Sequence, residues 1–131
     1  MLDFVRRAFS ESDFAVILTD ADFAFPGPTV LFANEAAGAL TGYLPEEMVG
    51  RSPRILQGEG TTVASRKTMS QALRRGEPCQ VVVKNYRKNG EAYDCEIEIR
   101  PIRDAEGKVI YAVAFERERA RRPGRRRVMA L

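Results

Sequence analysis

The chain has 131 residues, 44% of them hydrophobic, with a formal net charge of +3 and no histidine. This size and composition are typical of one globular domain with a hydrophobic core, and no apolar run reaches the roughly 18 residues that cross a bilayer. Because histidine is the commonest metal ligand and general base, its absence disfavours haem sites, zinc sites and hydrolase activity, and we expect a protein that is not an enzyme.

Residues 1–13 are predicted to form an amphipathic N-terminal helix, because Leu2, Val5 and Phe9 recur at helical spacing. Such a helix could cover the domain or pair with a second copy of the chain. The segment carries charges and no continuous apolar stretch, which is unlike a secretory signal. A cytoplasmic location is therefore expected.

Two strands are predicted next, at residues 14–19 and 29–33, joined by a connection rich in Asp, Gly and Pro. Asn34 then stands where a helix needs an N-cap. Gly42 ends that helix, because glycine adopts the left-handed conformation found at helix C-termini. This part of the chain predicts a long-looped hairpin followed by a short helix.

Three more helix starts follow. Pro45 and Pro53 each stand at a first helical position, and Ser52 is the N-cap of the second of these turns. The longest helix is predicted at residues 63–75, after a pair of threonines and before Gly76. These four predicted helices, unlike the N-terminal one, lie between the second and third strands.

Three further strands are predicted, at residues 80–87, 91–102 and 108–115, with a strong hairpin signal at Asn89-Gly90. Glutamate and isoleucine alternate in the middle strand, which predicts one sheet face in water. The element order predicts an α+β fold, a five-stranded antiparallel sheet with short helices on one face. We expect the N-terminal helix or a partner chain to cover the other face.

Residues 119–131 are predicted to form a flexible basic tail after a domain of residues 14–118. Seven arginines and two glutamates fall within residues 116–131, together with a Pro-Gly pair. Such charge runs are usually solvated. Residues 117–127 could also contact nucleic acid or another acidic surface, since several arginines there could neutralise phosphates.

The sequence resembles the PAS domain superfamily and, within it, the LOV photosensors. The general PAS resemblance rests on FAN (32–34), LTGY (40–43), EE (46–47) and NYRKNG (85–90), and the LOV resemblance on GRSPRILQG (50–58). It covers almost the whole predicted domain, and its element order is the one predicted above. The resemblance implies a PAS fold, a sensory role and a flavin, FMN or riboflavin, as ligand.

Three positions match residues that hold the flavin in that family. Arg54 matches the arginine that binds the flavin phosphate, and Gln57 matches a glutamine on the ribityl chain. Asn85 matches the first of two asparagines that hydrogen-bond the pyrimidine edge. The resemblance therefore implies that Arg54, Gln57 and Asn85 contact the cofactor.

Five positions depart from the LOV pattern. They are Ser52 (for asparagine), Pro53 (for the reactive cysteine), Ser70 (for a second phosphate-binding arginine), Cys95 (for the second asparagine) and Glu116 (for a signalling glutamine near flavin N5). Proline has no nucleophile, so no cysteinyl-flavin adduct forms at that site. A flavin facing Cys95 loses amide partners, at about 1–3 kcal/mol for each polar atom left buried and unpaired.

Two of these changes leave alternatives open. Arg66 and Lys67 precede Ser70 by about one helical turn, so they could reach a phosphate or form a solvated face. Glu116 could enter the pocket, where burial would raise its pKa, or it could point to water at a frayed strand end. Cys95 is interpreted as a filler of the core and not as a replacement for the missing reactive thiol.

Two functions follow. The first is a LOV-like sensory domain that binds flavin non-covalently and reports light or redox state. The second is a ligand-free PAS module for dimerisation or protein interaction, with the arginine-rich tail contacting an acidic partner or nucleic acid. Both predict a homodimer that signals to a downstream protein whose identity the sequence does not reveal.

Overall fold

We obtained a computed structural model of the chain, which describes residues 14–120. The predicted N-terminal helix (residues 1–13) and residues 121–131 of the basic tail lie outside the described part. Within residues 14–120, no helix combines the length and apolar character required to cross a bilayer.

Five strands form one antiparallel sheet in the order β2-β1-β5-β4-β3. Because β5 lies in the middle, it joins the first two strands of the chain to the β3–β4 hairpin. The α+β fold predicted from the sequence is confirmed. The strands are β1 (Ala15–Asp20), β2 (Val30–Ala33), β3 (Cys79–Tyr86), β4 (Ala92–Arg103) and β5 (Val109–Glu118).

The helices within residues 14–120 all lie between β2 and β3 in the chain, and the first and the longest carry the predicted caps at their ends. Asn34 caps the first helix and Thr62 the longest, while Gly42 and Gly76 end these helices with φ of 79° and 67°. Glycine is favoured at these two C-termini because other residues rarely adopt the left-handed conformation. The helices are α1 (Glu35–Thr41), α2 (Pro45–Met48), a 3₁₀ helix (Pro53–Leu56) and α3 (Val63–Arg75).

The side chain of Asn34 connects β1 to the start of α1. Its oxygen accepts hydrogen bonds from the backbone N–H groups of Val16 and Ala37, both at 2.9 Å, and its amide nitrogen donates to the carbonyl of Phe14 at 2.8 Å. Asn34 itself is buried. A single side chain therefore satisfies backbone groups of two elements that would otherwise be buried without partners.

The inner face of the sheet packs against the helices in two clusters. One lies under α1 and α2 and is built on Ile17, Met48 and Leu56. The other lies under α3 and contains Tyr93, Cys95, Ile97 and Ile99 from β4, with Met69 and Leu73 packed against it. Between the clusters the helices leave room for the pocket described below.

The outer face of the sheet differs from the prediction of a wet face. Its β3–β4 half is polar, as the alternation in β4 indicated, with Arg117 paired to Glu96 at 2.6 Å. Its β1–β5 half is apolar, because Val16, Leu18 and Val113 form a third buried cluster there. The apolar run of β1 is thus explained by a strand that is buried on both faces.

The loop after the 3₁₀ helix is fixed to β3. The backbone N–H of Gly60 donates to the Tyr86 hydroxyl at 2.6 Å, and the Thr61 hydroxyl donates to the Lys84 carbonyl at 2.6 Å. A Cβ added at Gly58 would lie 2.5 Å from the Tyr86 ring, so this approach requires glycine. These contacts hold the 3₁₀ helix and Gln57 over the inner face of the sheet.

Candidate ligand pocket

A pocket of about 150 Å³ opens between α3, the 3₁₀ helix, the loop between β1 and β2, and the inner face of the sheet. Its walls are apolar side chains from three strands and from α3. They include Ile17, Ile97, Ile99, Met69 and Leu73. An apolar cleft with a few polar groups is the usual form of a small-molecule site.

Two arginines line this pocket. Arg54 comes from the 3₁₀ helix, and its guanidinium lies 5.0 Å from the centre of the Phe25 ring in the β1–β2 loop. Arg66 comes from α3, and its buried Nε has no hydrogen-bond partner among the described residues. A buried N–H donor without a partner is costly, so an anionic group placed here would satisfy it.

The sequence left open whether Arg66 and Lys67 reach the pocket. Arg66 lines it, whereas Lys67 is exposed and does not. Ser70 also lines the pocket, one helical turn further along α3. Arg66 therefore places a guanidinium group in the pocket, four residues before Ser70 in the chain.

Ser52 and Pro53 lie beside the arginines. The Ser52 side chain accepts from the backbone N–H of Arg54 at 3.2 Å and donates to the carbonyl of Pro26 at 3.2 Å. It therefore caps the 3₁₀ helix and ties it to the β1–β2 loop. Pro53 occupies the first position of that helix and also lines the pocket, together with Gln57.

Glu116 enters the pocket from β5. It is only 5% exposed, so the interpretation that the strand frays here and Glu116 points to water is wrong. The Cys95 thiol donates to Glu116 Oε1 at 3.5 Å. Burial raises the pKa of Glu116 to about 7, an effect that the hydrogen bond from Cys95 partly opposes.

Asn85 and Cys95 are buried on the inner face of the sheet but do not line the pocket. Cys95 lies behind Glu116, where burial and the neighbouring carboxyl raise the pKa of its thiol far above the usual range. Such a thiol is unreactive, which agrees with the interpretation of Cys95 as core filler. The predicted contacts of Asn85 and Cys95 with a flavin stay predictions.

Sequence reasoning missed the part of the site that the β1–β2 loop contributes. Phe23, Pro26, Gly27 and Pro28 line the pocket, although residues 20–28 were predicted only as a connection. The chain carries no local signal for this role. It follows from the pairing of β1 with β2, which brings the loop to the 3₁₀ helix.

Replacing Glu116 by glutamine should stabilise the fold most at alkaline pH. An unfolded glutamate titrates near 4.5 and the buried one near 7. The native state therefore holds the proton more tightly, and stability falls as the pH rises between these values. We expect the stabilisation by Glu116→Gln to be about 3 kcal/mol larger at pH 8 than at pH 4.

Urea unfolding of both proteins across this pH range measures the effect. Glu98→Gln is the control, because Glu98 lies on the outer face, where Arg100 lowers its pKa. The control should retain the part of the pH profile that Glu116 causes. A stabilisation by Glu116→Gln that does not change with pH would show that Glu116 titrates normally.

Comparison with known proteins identifies the class of protein to which this fold belongs. The PAS domain model matches residues 13–119, and the chain belongs to this family. Its structural neighbours are LOV domains. One, a light-oxygen-voltage domain studied with a flavin analogue, has a TM-score of 0.80 at 26% identity and covers 97% of this chain and 93% of its own. The chain is therefore a LOV-like PAS domain.

A second solved structure and a sequence relative support this assignment. The light-state dimer of the fungal blue-light photoreceptor Vivid has a TM-score of 0.75 at 28% identity, covering 82% of this chain and 79% of its own. A blue-light-activated histidine kinase of Brucella canis is 36% identical over 91 residues, 70% of this chain. The chain spans 19% of the length of that kinase.

Proposed function

We propose that this domain is a sensory module that binds a flavin, FMN or riboflavin, without a covalent bond and responds to light or redox state. One observation carries the proposal. Arg54 and Gln57, which match cofactor-binding positions, converge with Arg66 and Glu116 on one apolar pocket. The similarity to light-oxygen-voltage domains and to a blue-light-activated kinase supports the same ligand class.

Different residues of the pocket would contact different parts of the flavin. Arg54 and Arg66 would hold a phosphate through charge-assisted hydrogen bonds, and Gln57 would contact the sugar-alcohol chain. Ile97, Ile99 and the α3 side chains would cover the ring and keep water from it. A bound flavin supplies absorption of blue light and exchange of electrons, and Pro53 excludes a thiol adduct at its position.

The chemistry of the pocket fits a flavin better than its size does. The two guanidinium groups and the apolar walls suit a flat ring with an anionic tail. The volume of about 150 Å³ is comparable to a cavity that binds benzene, and a three-ring system needs more. Flavin binding therefore requires the pocket to widen.

Absorption spectroscopy of the purified protein tests this function. We expect the protein to be yellow, or to become yellow and to quench flavin fluorescence after incubation with FMN or riboflavin. A protein that stays colourless after both incubations, and leaves the fluorescence of both flavins unchanged, would contradict the proposal.

The second candidate function is a ligand-free PAS module that acts by dimerisation. The small pocket and the altered positions Ser52, Pro53, Ser70, Cys95 and Glu116 favour it. We propose a homodimer in either case, since the related photoreceptor Vivid forms a light-state dimer. Sedimentation over a range of concentrations tests this, and a monomer at the highest concentration would contradict it.

The wider role is proposed on the same basis. We propose that the domain is not itself an enzyme, lies in the cytoplasm and passes its signal to a downstream protein. Residues 117–127 are the proposed contact with an acidic partner or nucleic acid. Removing residues 120–131 should then weaken binding to DNA or acidic lipid, and unchanged affinity would remove this role.

A further inference from the structure

Glu116 is a buried carboxyl group at the inner end of a ligand pocket. On β4, two buried ionisable groups interact with it: Cys95, which donates a hydrogen bond to it, and Tyr93. Arg66 on α3 and Arg54 on the 3₁₀ helix line the same pocket. The β1 residue opposite Glu116 is Ala15, which is uncharged. Among the described residues, no salt bridge or hydrogen bond joins Glu116 to either arginine.

This environment suits the neutral form of the carboxyl group. A carboxylate can accept several hydrogen bonds and is costly to bury unless it receives them. Among residues 14–120, the single donor within bonding distance is a thiol, which donates only weakly. The neighbouring residues on the inner face, Ile97, Ile99 and Ala114, are apolar. Burial accordingly raises the pKa of Glu116 to about 7.

A ligand in this pocket would strengthen the preference for the neutral form. Glu116 lines the cavity, so a ring bound against Ile97 and Ile99 removes the remaining water from the carboxyl group. Loss of solvent disfavours the charged form. The neutral form also carries an O–H group, which can donate to an acceptor on the edge of the ligand.

We propose that the pocket takes up a proton on Glu116 together with its ligand, so that ligand affinity depends on pH around neutrality. The proposal rests on the flavin-binding function proposed above and adds a regulator to the same site. The ligand class follows from the contacts: a planar ring with an acceptor edge toward Glu116 and a polar or anionic tail toward Arg54 and Arg66. At acidic pH the pocket is ready to bind. At alkaline pH Glu116 is ionised and must take up a proton as the ligand binds, which weakens binding.

The direction of the pH effect on the Kd follows from the coupling of proton binding to ligand binding. If the complex contains neutral Glu116, the Kd is constant well below the pKa of the free protein and rises tenfold per pH unit well above it. With a pKa of about 7, the Kd should rise about 30-fold between pH 6 and pH 8.5. Binding at pH 7.5 should take up about 0.8 proton per ligand.

Riboflavin is the appropriate probe. FMN carries a phosphate whose second pKa is near 6, and its changing charge beside two arginines would hide the effect. The Kd of riboflavin is measured by fluorescence quenching from pH 6 to pH 8.5 for the full chain. Calorimetry at pH 7.5, in two buffers with different ionisation enthalpies, measures the proton uptake independently.

Two variants make the result specific. Glu116→Gln keeps a donor and an acceptor but cannot titrate, so its Kd should be the same at all pH values, and it should take up no proton. Glu98→Gln removes a carboxyl group from the outer face of β4 and should keep the full 30-fold change. Thermal unfolding, monitored by circular dichroism, confirms that each variant is folded.

The outcomes separate the two proposals. Binding that weakens with pH in the wild type and in Glu98→Gln, but not in Glu116→Gln, supports proton uptake at Glu116. Riboflavin binding with an unchanged Kd from pH 6 to pH 8.5 overturns this inference and leaves the proposed function intact. A pH dependence that persists in Glu116→Gln also overturns it. If no flavin binds at any pH, both proposals are wrong.

Discussion

We expect Arg54→Ala to weaken FMN binding by about 10- to 100-fold, because one charge-assisted contact to a phosphate contributes about 1.5–3 kcal/mol. Arg54 lines the mouth of the pocket and makes no salt bridge among the described residues, so little else competes for its charge. Riboflavin lacks the phosphate. Its affinity should therefore change much less, and the ratio of the two Kd values reports the phosphate contact.

The matched control for this experiment is Arg51→Ala. Arg51 is exposed, lies three residues earlier in the chain and does not line the pocket. The Arg51→Ala substitution removes the same positive charge as Arg54→Ala. A general electrostatic effect on FMN affinity would therefore appear equally in both variants. An equal loss of FMN and riboflavin affinity in Arg54→Ala would show that Arg54 supports the pocket wall, through its contact with Phe25, and not the phosphate.

We expect Asn34→Ala to lower the free energy of unfolding by about 3 kcal/mol, because the substitution removes an N-cap and leaves buried backbone groups without a partner. The groups are the N–H of Val16 and the N–H of Ala37. The Phe14 carbonyl, at a partly buried position, also loses its 2.8 Å hydrogen bond to the Asn34 amide. Alanine is smaller, and the buried site leaves little access for replacement water. Urea unfolding at neutral pH measures the loss.

Asn89→Ala provides the comparison. Asn89 lies in the exposed β3–β4 turn, where its side chain accepts one hydrogen bond from the N–H of Glu91 at 2.9 Å. Water can replace that bond, so we expect a loss below about 1 kcal/mol. If both variants lose the same stability, the Asn34 side chain does not join β1 to α1 in the way the geometry indicates.

The helices could be predicted closely because their ends are local. Helix α3 spans Val63–Arg75, the residues predicted from a threonine start and the Gly76 stop. The N-cap at Asn34 and the stop at Gly42 are likewise properties of a few neighbouring residues. Capping is decided by one side chain and the adjacent backbone, so the sequence contains the information.

The end of β5 could not be predicted in this way. The predicted strand ended at residue 115, yet the observed strand continues to Glu118. Pairing with β4 extends it, with Ile97 opposite Glu116 and Cys95 opposite Glu118. This pairing also directs Glu116 inward, and it depends on residues about 20 positions away in the chain.

The residues that line the pocket could likewise be predicted from the sequence only in part. Family resemblance assigned Arg54 and Gln57 to ligand binding, and both line the pocket. Their contact with a ligand stays a prediction. The resemblance did not show that Asn85 would lie outside the pocket lining or that the β1–β2 loop would contribute to it. Both facts depend on how the sheet and the helices pack together.

The central position of β5 has a consequence for how the chain folds during synthesis. Strand β1 can pair with β5 only after β5, the last strand, has been synthesised. Because β5 lies between β1 and β4, the sheet is incomplete until then. Until residues 109–118 leave the ribosome, the β1–β2 and β3–β4 hairpins have no strand to join them. A sheet closed by such distant partners forms slowly, so the nascent domain exposes apolar strand surface until its final strand is available.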